Sequence, residues 1–286
     1  MRTCLIFLIV LIITVGTFMG CEAKTDTTEL VKRLESMNRE HDISFAVHDA
    51  KGKPLYAQQA DKKIPSASVI KILILVELFR QVEEGLISLE QTCTVNAEDI
   101  VGGAGELQFL PPGGNYSVEY LAKEMIRISD NIATNLIIRL VDMENVNRLA
   151  AELGLKQSEL KRYMMDFTAI EEGRQNYTSP ADMNRVLLML LQGNILTRSS
   201  REKIIGMLTD CVDKTLIKGQ LPGHLQVANK TGTLDYVRAD AAIVYGKKPL
   251  VISIFIEHFE DRDIADRTVA ELAALIWKTF GKEPLF

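Results

Sequence analysis

The sequence predicts an α/β (α+β) fold in which a five-stranded antiparallel sheet, flanked by helices, is interrupted by an inserted all-α block. Three observations predict it. Apolar and polar residues alternate over Ile43, Phe45 and Val47 before a turn at Asp49 to Gly52, a strand pattern with period two. Helical periodicity then runs from Ser66 to about Leu191 almost without relief, and strand patterns return only after Leu225. Two early and three late strands form one sheet only if the two ends of the chain meet and the helical block sits between them.

Each element follows from local signals. Asp26 with Glu29 three residues on, then Leu30, Leu34 and Met37 at helical spacing, predicts a capped amphipathic helix ending near His41. Leu55 to Gln59 returns as the second arm of the hairpin. The helical block is broken at Val101-Gly102-Gly103-Ala104-Gly105, at Pro111 to Gly114 and at a polar stretch from Glu171 to Thr178. Ser179-Pro180 reads as an N-cap followed by a first-turn proline, opening a helix to about Gln192. Strands are predicted over Gln226 to Lys230, Val237 to Tyr245 and Leu250 to Ile256, and a helix over Ala265 to Phe280 closes the chain. The α/β part is placed at about 22–62 and 212–286 and the all-α part at about 63–211. The crevice between them is the expected active site.

Composition narrows the function. Hydrophobic residues make up 47% and charged residues 25% of 286 residues, so one substantial core is possible and disorder is excluded. A net charge of −5 offers no basic field for phosphates, so no nucleic-acid partner is expected. The four cysteines contain no Cys-x-x-Cys pair and the four histidines no His-Glu-x-x-His, so no metal and no cofactor is expected. Cys93 and Cys211 are read either as a disulfide or as two free thiols.

Arg2, an apolar run from Cys4 to Met19 and Gly20-Cys21 at the change to polar composition read as an export signal over residues 1–20. Gly20-Cys21 resembles a bacterial lipoprotein signal, with Cys21 lipidated as the new N-terminus. An uncleaved anchor and simple secretion are the other two readings, and all three place the domain outside the cytoplasm. The expected product is a monomer held on the membrane by its lipid.

Three short motifs carry the chemistry. Ser68-Val69-Ile70-Lys71 puts a hydroxyl and an amine three residues apart, on one face of a helix. A lysine desolvated near other positive charge can take a proton from such a serine. Alone, this pattern is an everyday accident. Ser129-Asp130-Asn131 lies between helices and Lys230-Thr231-Gly232, followed by Thr233, ends a late strand, each tripeptide expected in roughly one chain in 15 to 25. Their ordinary readings are a capping loop and a strand-end turn, but the joint occurrence in this order favours a site.

The set resembles class A serine β-lactamases and their penicillin-binding relatives, over most of the chain from the hairpin before Ser68 to the last helix, and so implies a β-lactamase/transpeptidase-like fold. The resemblance implies that Ser68 attacks an amide carbonyl with Lys71 sharing in proton removal, and that Ser129 passes a proton to the leaving nitrogen. It further implies that Asn131 binds the substrate side-chain amide and Lys71, and that Lys230, Thr231 and Thr233 bind a carboxylate. The backbone N–H groups of Ser68 and Thr233 would form the oxyanion hole. Arg238 stands one position earlier than a further carboxylate-binding arginine of that family; a solvated strand charge is its other reading.

One departure matters. Where the family has Arg-x-Glu-x-x-x-Asn, this chain reads Arg162-Tyr163-Met164-Met165-Asp166-Phe167. Met164 holds the glutamate position and has no proton affinity to offer. Water activation is then left to Asp166, to Glu171 or Glu172, or to no carboxylate, and Asn176 is a candidate for structuring the loop. Three functions remain: a β-lactam hydrolase with slow deacylation, a low-molecular-weight penicillin-binding protein acting on D-Ala-D-Ala ends of peptidoglycan stem peptides, and a lipoprotein that binds β-lactams without turnover.

Overall fold

A computed structural model describes residues 25–281; the export segment and Cys21 lie outside the described residues. Helix α1 covers Thr28–Met37, and the hairpin β1 (Asp42–Asp49) and β2 (Pro54–Gln58) follows. After β3 (Ile64–Pro65), a 3-10 turn at Ala67–Ile70 runs directly into α2 (Lys71–Glu83). The central block continues with β4 (Thr92–Thr94), β5 (Asn115–Ser117), α3 (Val118–Arg127), α4 (Asn131–Val141), α5 (Met143–Glu152), α6 (Phe167–Glu171), β6 (Tyr177–Thr178), α7 (Pro180–Gln192) and α8 (Arg198–Thr209). Strands β7 (Gln226–Leu234), β8 (Val237–Tyr245) and β9 (Leu250–Glu257) and helix α9 (Arg262–Phe280) complete the chain.

The five long strands form one antiparallel sheet in the order β2-β1-β9-β8-β7. The two ends of the chain meet where β1 pairs with β9, Phe45 opposite Ile254. Every residue of β9, and all but the last of β8, is buried, because helices cover both faces of the sheet. On one face, Leu30, Phe45, Ile254 and Trp277 share a core under α1 and α9. On the other, Ala239, Ile243 and Phe255 join a core that continues without a break through α2, α4 and α7. The inserted block thus shares its core with the sheet. It is also less purely helical than its periodicity suggests, since β4 pairs with β5 and β3 with β6.

Helix starts are fixed by side chains that satisfy otherwise unpaired N–H groups. Ser117 caps α3 at Tyr120 N, Asp130 caps α4 at Ala133 N, and Ser179, followed by Pro180, caps α7 at Asp182 N. Lys230 to Thr233 lies inside β7 and does not form a turn beyond it, because the register with β8 holds through Leu234↔Val237. Cys93 and Cys211 are both free thiols.

Candidate active site

A cleft of about 530 Å³ separates β7 from the helical block, and Ser68, Ser129, Asn131, Lys230, Thr231 and Thr233 all line it. The fold brings them together from three separated segments. Ser68 sits in the 3-10 turn ahead of α2, and Lys71 is the first residue of the helix proper. Ser129 precedes the Asp130 cap, and Asn131 opens α4.

Three non-glycine residues in the cleft wall adopt left-handed backbone: Ala67 (φ 46°), Ser129 (φ 62°) and Met165 (φ 63°). Such residues typically carry about 1 to 3 kcal/mol of strain and cluster at functional sites. Ala67 precedes the nucleophile candidate, and Met165 follows Met164. Gly232 explains how closely β7 approaches. A Cβ there would lie 2.9 Å from Ala67 Cβ and 3.0 Å from Ser68 N, so only a bare backbone lets the strand pass the nucleophile turn. Thr233, the next residue, therefore carries its backbone to the edge of the same turn.

Lys71 is fully buried, and its Nζ hydrogen-bonds Ser129 O at 2.8 Å, Ser129 Oγ at 3.0 Å and Asn131 Oδ1 at 3.1 Å. Burial, reinforced by the charge of Lys230, brings its amine well below the ordinary lysine range. Two of the three neighbours are carbonyl oxygens that can only accept. A neutral amine gives both its hydrogens to them and keeps a lone pair for a hydroxyl. Lys230 is also buried, donates to Thr231 O at 2.7 Å, and is lowered by desolvation against the opposing pull of Cys211, Asp240 and Asp213.

Arg238 is fully buried, so it is not a solvated strand charge. Its Nη2 donates to Asp266 Oδ2 at 2.8 Å, its Nε to Asp266 Oδ1, and its Nη1 to Thr233 Oγ1. The carboxylate of α9 thus pairs with Arg238, while one of its donors reaches the cleft-lining threonine.

Asp166 caps α6, its Oδ1 accepting from Ala169 N at 2.9 Å. The cleft wall is formed instead by Arg162, Met164 and Met165. Asn176 accepts from Lys161 N at 2.7 Å and Arg162 N at 3.0 Å, and so ties down the start of this loop. Among the described residues, no group of three His, Cys, Asp or Glu is placed to hold a metal ion.

Sequence reasoning missed Asn135, which anchors Met164, and Gly103, against which Asn131 and Met165 both pack. Asn135 lies one helical turn beyond Asn131, a spacing that puts both on one face of α4, but nothing local in the sequence joins it to Met164.

Residues 26–280 match the model of the β-lactamase enzyme family. This chain belongs to that family. It is 27% identical over 244 residues to the β-lactamase ROB-1 of Haemophilus influenzae, covering 83% of this chain and 79% of that protein. Among solved structures, a β-lactamase from Sphaerobacter thermophilus superposes with a TM-score of 0.85 at 25% identity, covering 91% of this chain and all of the other. A point mutant of PBP-A, solved as an acyl-enzyme complex with penicillin G, superposes with a TM-score of 0.81 at 27% identity, covering 88% and 95%. The proteins it is similar to therefore include β-lactamases by name and one solved as an acyl-enzyme with penicillin G.

Proposed function

We propose that this chain is a serine enzyme that opens the β-lactam amide through an acyl-serine intermediate and releases the product slowly. The observation that carries the proposal is the buried Lys71, held against Ser129 in the wall of the cleft that Ser68 lines. Ser68 Oγ bonds to the carbonyl carbon while its proton passes to the neutral Lys71 Nζ. A proton moves on through Ser129 Oγ to the ring nitrogen as the carbon–nitrogen bond breaks. The serine ends as an ester and the nitrogen as an N–H, so no outside reagent is needed until water cleaves the ester. The backbone N–H groups at Ser68 and Thr233 are the donors for the developing oxyanion, and Lys230 and Thr231 receive the substrate carboxylate.

Slow release follows from what the loop presents. Met164 faces the cleft where a base is needed, and Asp166 is engaged as a helix cap. General-base help of that kind typically contributes about 10² to 10⁴ in rate. A second reading, a peptidase for D-Ala-D-Ala ends, is favoured by β7 being the sheet's edge strand beside the cleft, since an edge can pair with an extended peptide backbone.

Intact-protein mass spectrometry with penicillin over time tests the proposal. A long-lived adduct that decays over minutes, absent in Ser68→Ala, is expected. Full labelling of the alanine variant would refute the nucleophile assignment, and a permanent adduct with cleavage of a D-Ala-D-Ala peptide would favour the peptidase. The domain is further proposed to be exported and anchored through lipid on Cys21. Cys21→Ser should move it from the membrane to the soluble fraction, unless the apolar run is an uncleaved anchor.

A further inference from the structure

The Arg162 guanidinium makes no ion pair among the described residues; the Asp166 carboxylate acts on it only from beyond ion-pair distance. Arg162 is 7% exposed, its Nε donates to Gln175 Oε1 at 2.9 Å, and its Nη1 donates to the Tyr163 carbonyl at 2.9 Å. Both acceptors are neutral. Among the described residues, no carboxylate stands within ion-pair distance of Arg162. Asn176, the side chain that grips this stretch, is neutral and is committed to the backbone: it accepts from the Lys161 and Arg162 N–H groups and donates to Arg162 O at 3.1 Å. It positions the loop and adds no counter-charge.

Of the other cations around the cleft, Arg262 is exposed to solvent at the start of α9, and the rest are held by protein oxygens. Arg127 is bound to both oxygens of Glu124 at 2.9 and 2.6 Å, Arg238 to Asp266, and Lys230 to Thr231 O. The third nitrogen of Arg162, Nη2, makes no such bond, and the side chain borders the cleft together with Asn131, Met164 and Met165. A charge withdrawn from water without a close counter-ion is costly, and burial, outweighing the pull of Asp166 and Tyr236, draws the guanidinium below its usual proton affinity. An anion entering the cleft would recover that cost.

The side of the cleft on which it would bind is also defined. A Cβ on Gly103 would lie 2.7 Å from Asn131 Nδ2 and 2.9 Å from Met165 Sδ, so Asn131 and the Arg162–Met165 loop meet at one place, apart from β7. In the acyl-serine reading, on which this inference rests, Asn131 attends the acyl side chain and β7 the carboxylate of the leaving side. We infer that Arg162 is a specificity-determining residue that receives a second carboxylate, carried on the acyl portion of the substrate. The favoured substrates are then dianionic acyl donors.

Benzylpenicillin and α-carboxybenzylpenicillin differ by that one carboxylate and form the test. The second-order rate constant for adduct formation on Ser68 is measured for both compounds by timed intact-mass spectrometry, in wild type, Arg162→Gln and Arg162→Lys. The ratio of the carboxylated to the parent compound should fall by about tenfold or more in Arg162→Gln, the usual scale for a charge-assisted contact. Arg162→Lys, which keeps the charge, should retain most of the ratio. If Arg162 only shapes the loop, both compounds slow together and the ratio stays put, which overturns the inference. A ratio that collapses equally in Arg162→Lys overturns it too. Absence of any adduct with either compound on wild type overturns instead the acyl-serine reading beneath it.

Discussion

Asn135 holds Met164 by its backbone alone: Asn135 Oδ1 accepts from Met164 N at 2.7 Å and Asn135 Nδ2 donates to Met164 O at 3.1 Å. Met164 lines the cleft at the edge of the helical core, and the clamp is indifferent to its side-chain chemistry. Met164→Glu should keep the loop in place and speed loss of the penicillin adduct, by an amount approaching the 10² to 10⁴ typical of general-base assistance, about two orders at least. Asp166→Asn is the control. Asparagine is as good a helix cap, so adduct lifetime should not change. A sharp rise in adduct lifetime in Asp166→Asn would show that the base is Asp166.

The pH dependence of acylation follows from the two buried lysines. Lys71 must be neutral to accept the Ser68 proton, so the rate rises with pH as Lys71 deprotonates, at a point well below the ordinary 10.5. Lys230 must stay charged to hold a substrate carboxylate, and desolvation lowers it too, so a falling limb follows at higher pH. Stopped-flow acylation between pH 5 and 10 should give a bell. A rise that begins only near the ordinary lysine value would contradict the role of Lys71.

Gly232→Ala tests the close approach of β7. The added methyl would stand 2.9 Å from Ala67 Cβ and 3.0 Å from Ser68 N, contacts that force the strand or the nucleophile turn to shift. Misplacement on this scale can cost about 10² in rate. Acylation should drop steeply while far-ultraviolet circular dichroism stays native. Unimpaired acylation would mean that the spacing of β7 and Ser68 is not critical.

Asp240, fully enclosed in β8, accepts from Asn229 Nδ2 at 3.0 and 3.1 Å and from Ile217 N at 3.1 Å, and burial pushes its carboxyl up to about 6. The folded state thus holds the proton more tightly than the unfolded chain. Its contribution to stability is complete below the unfolded value of 3.8 and is lost as pH rises through about 6. The loss is on the order of 3 kcal/mol. Asn229 Oδ1 is buried without a hydrogen bond, and Asp240→Asn brings an N–H that could serve it. The variant's Tm should change less than that of wild type between pH 4 and 7, and should exceed it at pH 7. Parallel curves would disprove the titration.

Legibility from sequence followed the range of the interactions. The hairpin, the Ser179-Pro180 helix start and all three late strands are set by neighbours in the chain, and they lie within a few residues of the expected bounds. The burial of Arg238 was not visible, because its partner Asp266 lies 28 residues away on α9. Nor was the clamp on Met164, whose partner is 29 residues earlier on another helix. Both depend on how helices dock, and local periodicity carries no record of docking.

By itself the sequence determined the fold class, the order of the five long strands, and the identity of the side chains that could attack, relay a proton or bind an anion, because period, capping and residue chemistry are local properties. Tertiary structure alone decided their states. Packing withdrew Lys71 from water beside Lys230, neutralised Arg238 with Asp266, left Arg162 without an ion pair and set Met164 in the cleft wall. Charge, proton affinity and direction depend on what surrounds a side chain, and those surroundings come from segments far apart in the chain.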